Sequence, residues 1–182
     1  GGGAVLAGPW MVSASIALPT GHPLLGETLA GSYRWLGEVH AGALGQMGVP
    51  ARALPPQEIA GANAALRIRS VGWACFGALS PWEVVAADGR KLVGLAQRRK
   101  QAGVLLVAGT LVGATDWGLL CEVMGHPEDE AVLRRRTVAA AELAGGPIAP
   151  EAFATVLTRL LDSALGSSVP SPAIPLASRR AS

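Results

Sequence analysis

Residues 73–112 read WACFGALSPWEVVAADGRKLVGLAQRRKQAGVLLVAGTLV, and a hairpin lies at the centre of this stretch. Glu83-Val84-Val85 and Lys91-Leu92-Val93 are apolar runs on either side of Asp88-Gly89, two residues that tolerate positive φ and so favour a tight turn. Lys91 then stands just past the turn. Upstream, Cys75 belongs to an apolar run, residues 73–76, that ends at Gly77. Downstream, residues 103–112 read as a further buried strand, interrupted only by Gly109-Thr110. Antiparallel return through the turn predicts that Cys75 and Lys91 meet in one pocket, with part of the sulfur open to it.

Working outward, residues 11–18 alternate small polar and apolar side chains as a half-buried strand does. Residues 27–47 place Leu29, Tyr33, Leu36, His40, Ala43, Leu44 and Met47 at helical spacing, with His40 read as a core or boundary residue. Residues 51–54 read as a short strand and residues 55–63 as a loop. On the C-terminal side Asp116 caps a short helix over 117–124, in which Cys121 is assigned to packing. Residues 125–129 read as a polar loop, 137–143 as a short helix, and 150–166 as a helix with one buried stripe. Short strands interleaved with helices and an antiparallel hairpin give an α+β class: a mixed, largely antiparallel sheet flanked by helices. One domain spans residues 1–166, and a Ser/Pro-rich tail occupies 167–182.

The 182 residues are half hydrophobic and only 15% charged, which fits a globular core rather than a disordered chain. No apolar run is long enough to cross a bilayer, so no membrane association is expected. A formal charge of +2 is too mild to imply a nucleic-acid partner. Two cysteines are too few for a disulfide framework or a zinc site, so no metal is expected and a cytoplasmic, reducing setting is the default. Arg98-Arg99-Lys100 and Arg134-Arg135-Arg136 form local positive clusters, the second read as solvated surface.

The spelling of two blocks carries a resemblance. Cys75-Phe76, Glu83-Val84, residues 88–94 (DGRKLVG), residues 96–99 (AQRR) and residues 109–111 (GTL), together with the opening residues 1–6 (GGGAVL), resemble the catalytic core of the lipoate-protein ligase and octanoyltransferase family, which shares its fold with biotin-protein ligases. The Gly-Gly-Gly-Ala-Val spelling looks like the family's acyl-pocket loop, and a chain that begins inside it is expected to lack N-terminal residues of the same fold.

The resemblance implies attachment of a lipoyl or octanoyl group to a lysine of an acceptor domain. It implies Lys91 as the residue that meets the acyl carbonyl, and Cys75 as the thiol that carries the acyl group in thioester-forming members. Gly1, Gly2, Gly3, Ala4 and Val5 would form one wall of the acyl pocket, with Gly94, Ala96, Gln97, Gly109 and Thr110 opposite. Arg98, Arg99 and Lys100 would stand on the rim, against phosphate or an acidic acceptor. A ligase would use ATP with Mg and free lipoate, whereas a transferase would take octanoyl from an acyl carrier protein. The implied acceptors are the lipoyl domains of 2-oxoacid dehydrogenase or glycine cleavage proteins. Two positions depart from the family. Ala7-Gly8-Pro9-Trp10 and Ala108-Gly109-Thr110 stand where many relatives have histidines, which leaves open a non-catalytic homologue that binds an acyl group or a lipoyl domain.

Overall fold

In the computed structural model, which describes residues 3–167, five strands form one sheet. They are β1 (Met11–Pro19), β2 (Ala51–Ala53), β3 (Val84–Ala86), β4 (Lys91–Lys100) and β5 (Gly103–Leu111). The order across the sheet is β1-β5-β4-β3-β2, and each neighbouring pair is antiparallel. Parallel pairing is confined to two isolated bridges, Ala4 with Ala74 and Lys91 with Thr137. Six α-helices flank the sheet: α1 (Arg34–Gln46), α2 (Ile59–Leu66), α3 (Trp117–Val123), α4 (Glu130–Arg136), α5 (Ala140–Ala144) and α6 (Pro150–Ser167). No helix among the described residues is long and apolar enough to cross a membrane. The tail assigned to residues 167–182 lies, beyond Ser167, outside the described residues.

The hairpin forms where Asp88-Gly89 places it. Gly89 takes φ +85°, and the Asp88 carboxylate accepts from the Arg90 backbone amide at 3.0 Å. Register between β3 and β4 shifts after Val84, pairing Val84 with Val93 and Val85 with Lys91, so a bulge falls beside Lys91. Strand β4 changes character along its length: residues 91–95 are buried, and residues 98–100 are exposed. One end of β4 is therefore in the core and the other at the rim.

α1 and α6 pack on each other and against the sheet, and Leu36, Leu44, Phe153 and Leu157 join Val93, Leu106 and Val84 in the main core. A second cluster gathers Phe76, Leu111, Trp117, Leu120, Cys121 and Leu133, which places Cys121 in packing. The Asp116 carboxylate accepts from Leu119 N at 3.0 Å, the expected cap of α3.

Several local expectations are corrected. The helix expected from residue 27 begins only at Arg34, because Thr28 engages the Gly31 amide through its hydroxyl at 2.9 Å and holds the preceding residues in turns. Residues 59–66, expected as loop up to Asn63, are helical: alanine-rich composition favours the helix despite Gly61. The loop over 125–129 passes directly into α4, supported by the Glu130–Arg134 pair at i,i+4. Arg136 is buried, not surface. Its guanidinium donates to the Ile68 carbonyl at 2.7 Å, the Arg69 carbonyl at 3.2 Å and Asn63 Oδ1 at 2.6 Å, and so ties α4 to the end of α2. Arg134 and Arg135 do face solvent.

His40 is fully buried on α1. Its Nδ1–H donates to the Leu36 carbonyl at 2.8 Å, while Nε2 has no partner. Burial lowers its pKa from 6.5 to about 4, so it folds as the neutral imidazole. The unfolded chain binds this proton first on acidification. The stability contribution is thus present above pH 6.5 and falls by about 3 kcal/mol as pH drops toward 4. Urea unfolding at neutral pH and at the acid end of this interval measures the loss, and His40→Gln, which keeps a donor for Leu36, should flatten it. An unchanged acid loss in that variant would place the titrating group elsewhere.

Candidate active site

The site is built where residues 73–83 cross the buried half of β4. Ala4 and Ala74 pair: Ala4 N donates to the Trp73 carbonyl at 2.6 Å, and Cys75 N to the Ala4 carbonyl at 2.9 Å. A side chain at Gly3 would overlap the Trp73 carbonyl, so close approach of the two segments requires glycine there. Trp73 is fixed in turn, since its indole N–H donates to Asp129 at 2.7 Å, a carboxylate that also pairs with Arg69. At the other end, Trp82 sits in the left-handed region at φ +65°, held by Trp82 N to the Leu54 carbonyl at 2.7 Å and Leu54 N to the Glu83 carbonyl at 2.9 Å. Such a conformation is costly for a bulky residue, and here it aims the next side chain, Glu83, inward.

Lys91 is 1% exposed and Glu83 2%, and they pair at 2.7 Å between Nζ and Oε1. Nζ also donates to the Cys75 carbonyl at 2.8 Å and the Ala78 carbonyl at 3.0 Å, and it stands 5.2 Å from the Phe76 ring centre. All three ammonium donors are thereby engaged. The Glu83 carboxylate accepts, besides Lys91, the backbone amides of Ser80 at 2.8 Å and Leu95 at 3.2 Å. Burial pushes its pKa up, against the pull of Lys91 and these amides.

A cavity of about 380 Å³ opens above this pair. Cys75, Ala78, Ser80, Pro81 and Glu83 line it from the crossing segment, with Gly72, Ala74 and Gly3 beside them. Leu95, Ala96 and Gln97 line it from β4, and Leu29, Ala30 and Tyr33 from the turns before α1. Cys75 is half-buried. Burial raises its thiol pKa, Lys91 draws it down, and Glu83 raises it. A side chain built on Gly94 would touch Lys91 Cε at 3.5 Å and Cys75 Sγ at 3.6 Å, so the thiol and the lysine approach the same point.

The sequence-derived site is therefore partly assembled. Cys75, Gly3, Ala96 and Gln97 line the cavity, and Gly94 lies between Cys75 and Lys91. Lys91 points inward but lies beneath the cavity wall, locked by Glu83. Val5 is 47% exposed and leaves the wall; Ala4 serves it only through the backbone. Gly94–Gln97 is strand, since β4 continues unbroken to Lys100. Gly109 and Thr110 pair with Gly94 and Val93 across β5 and stay outside the lining, Thr110 fully buried. Gly1 and Gly2 lie outside the described residues. Arg98, Arg99 and Lys100 are exposed, and Arg99 and Lys100 line a separate hollow of about 350 Å³ with His22 and Glu27. Glu83 was legible as a hairpin residue and as part of the family spelling, but not as a cavity-lining acid. Its signal was an acid and a base heading the two runs of one hairpin.

Among the described residues Glu83 is the only charged group lining the cavity, and none of the three histidines reaches it. His126, Glu128 and Asp129 bring possible metal-ligand atoms within 4.8 Å of one another, but Asp129 is already engaged by Arg69 and Trp73.

No family model matches the chain. Among curated proteins it is 33% identical over 162 residues to octanoyltransferase LipM of Kyrpidia tusciae, an alignment covering 86% of this chain and 57% of that protein. It is 36% identical over 124 residues to octanoyltransferase LipM of Moorella thermoacetica, covering 68% of this chain and 42% of that one. The chain thus spans about half the length of the curated relatives it matches. Among solved structures, the bi-partite lipoate protein ligase of Thermoplasma acidophilum superposes with a TM-score of 0.62 at 17% identity, over 91% of this chain and 55% of that one. The fold is that of lipoate and biotin ligase catalytic domains. Sequence and fold agree that the chain belongs to the lipoate-protein ligase and octanoyltransferase family.

Proposed function

We propose that the protein transfers an octanoyl group from an acyl carrier through a thioester on Cys75 to a lysine of a lipoyl acceptor domain. One observation carries this reading: the half-buried Cys75 lines a cavity of about 380 Å³ whose wall mixes apolar and neutral polar groups and, among the described residues, holds Glu83 as its one charged side chain. Cysteine suits the role because its thiolate is nucleophilic and also leaves readily when an amine attacks. The two curated relatives support it by name, as octanoyltransferases.

The ligase reading, which needs an acyl-adenylate, fits the cavity less well. Among the described residues no basic side chain lines it, and the three donors of Lys91 are already satisfied by protein groups, so the one charged group a phosphate would meet there is the Glu83 carboxylate, which repels it. Lys91 instead supports an acyl carbonyl as a nearby fixed charge, without spare donors in this state. The cytoplasmic assignment rests on the cysteine usage alone. Transfer to a lipoyl domain from octanoyl-acyl carrier protein without ATP, set beside free octanoate with ATP and Mg, separates the two readings: activity only with ATP would reject the transferase.

Acceptor docking is assigned to the exposed end of β4. The ammonium and guanidinium groups of Arg98, Arg99 and Lys100 offer a positive rim beside the cavity wall at Gln97. Converting all three to Glu should weaken acceptor affinity at low salt and matter less at high salt, as surface charges do. Affinity that is unchanged at low salt would reduce the cluster to solvated surface.

A further inference from the structure

We propose that Glu83 receives the acceptor lysine, drawing its ammonium into the cavity and taking its proton so that a neutral amine attacks the acyl group on Cys75. The inference rests on the acyl-carrying reading of Cys75. The chemistry of the second half-reaction demands such a group, because the incoming lysine is an ammonium in solution and only its uncharged amine is a nucleophile. Among the described residues the cavity offers one charged lining group for it, and that group is an acid.

Glu83 is built into place rather than left at the surface. The left-handed backbone of Trp82 aims it inward, and the amides of Ser80 and Leu95 hold the two carboxylate oxygens from the crossing segment and from β4. Oε1 is engaged by Lys91 and Leu95, whereas Oε2 accepts only from Ser80, which leaves acceptor capacity on Oε2. The titratable groups around Glu83 are Lys91 on β4, Cys75 on the crossing segment and Tyr33 before α1, with Arg99 farther along β4 beside Tyr33. Of these, only Glu83 is a carboxylate. Its burial favours protonation, which suits a proton acceptor.

The step balances. One ammonium proton passes to the Glu83 carboxylate, and the amine forms a C–N bond to the thioester carbonyl. The C–S bond breaks, and the second nitrogen proton goes to the departing Cys75 sulfur. The products are an amide, a thiol and a neutral carboxyl, which returns its proton to solvent once the acceptor leaves and pairs again with Lys91. Charge is zero before and after within the group formed by acceptor, Glu83 and Cys75, and the Lys91 ammonium, still held by the Cys75 and Ala78 carbonyls, carries the net positive charge of the site until Glu83 gives up its proton.

The test separates the half-reactions. Wild type, Glu83→Gln and Glu83→Asp are loaded with octanoyl from octanoyl-acyl carrier protein, and the adduct is discharged either to a lipoyl domain or to hydroxylamine, an amine that is uncharged at neutral pH. Glu83→Gln also takes the counter-ion from Lys91, so its loading and its discharge to hydroxylamine, neither of which needs a proton taken from an ammonium, serve as the reference for that general damage. Relative to that reference it should discharge to the lipoyl-domain lysine about 10²-fold more slowly at neutral pH, the loss shrinking as pH rises and the lysine deprotonates unaided. Glu83→Asp keeps the acid, so its discharge should be slowed without alkaline recovery, and it decides the matter if the Gln variant does not fold. Equal slowing with both nucleophiles, equal loss of loading and discharge, or a Gln variant as fast as wild type toward lysine would overturn the assignment. Failure of wild type to load at all would instead reject the acyl-carrying reading of Cys75.

Discussion

Cys75→Ala should lower octanoyl transfer by about 10³-fold or more while leaving the fold intact, because the variant removes the atom that carries the acyl group. The side chain is half-buried at the edge of the Phe76 cluster, with Sγ beside Gly94, so losing one sulfur atom removes only a small part of the packing. Thermal stability should therefore change by less than about 1 kcal/mol. Cys75→Ser is the sharper variant. Its hydroxyl is a far weaker nucleophile, and any oxygen ester formed resists neutral hydroxylamine, so loading should be very slow and the product should persist. Assay of transfer beside thermal melts checks both claims; a Cys75→Ala protein that transfers at even a tenth of the wild-type rate would place the acyl group elsewhere.

Lys91→Met should be the most damaging single change to stability. It leaves the Glu83 carboxylate buried without its counter-ion and strips the Cys75 and Ala78 carbonyls of their donor. Breaking a buried pair on one side costs about 3–5 kcal/mol, which for a domain of this size lowers Tm by about 10 °C. Replacing both partners, Lys91→Met with Glu83→Leu, should recover most of that loss, because no orphaned charge remains. Urea melts of the single and double variants measure the difference. A single variant within about 1 kcal/mol of wild type would mean that the pair is dispensable to the fold.

These effects concentrate in the hairpin, the part of the molecule most legible in the sequence. Asp88-Gly89 between apolar runs set the β3–β4 pairing, and antiparallel return placed Cys75 near Lys91. The depth of Lys91 was harder to read. A lysine just past a turn is ordinarily exposed, but the first half of β4 is covered on both faces, and Thr137 and Val138 close over its start through the bridge at Lys91. The inward direction of Glu83 was not legible, because it is set by the left-handed backbone of Trp82, a tertiary effect held by hydrogen bonds to Leu54 rather than by local pattern. Helix α2 was hidden by Gly61 and by the two prolines that precede it, and Arg136 by its two exposed neighbours, since a run of like charges gives no sign that one member turns inward to find carbonyls. The resemblance located the acyl wall at Gly3, Ala96 and Gln97, but not Leu29, Ala30 and Tyr33, whose place in the lining depends on the turns that precede α1.

The most direct measurement of the account is the intact mass of the wild-type protein after incubation with octanoyl-acyl carrier protein in the absence of ATP, followed by peptide mapping. The account predicts a gain of one octanoyl group, located on Cys75 and released by neutral hydroxylamine. An unmodified Cys75 under these conditions, with acyl-adenylate formed from octanoate and ATP instead, would contradict it.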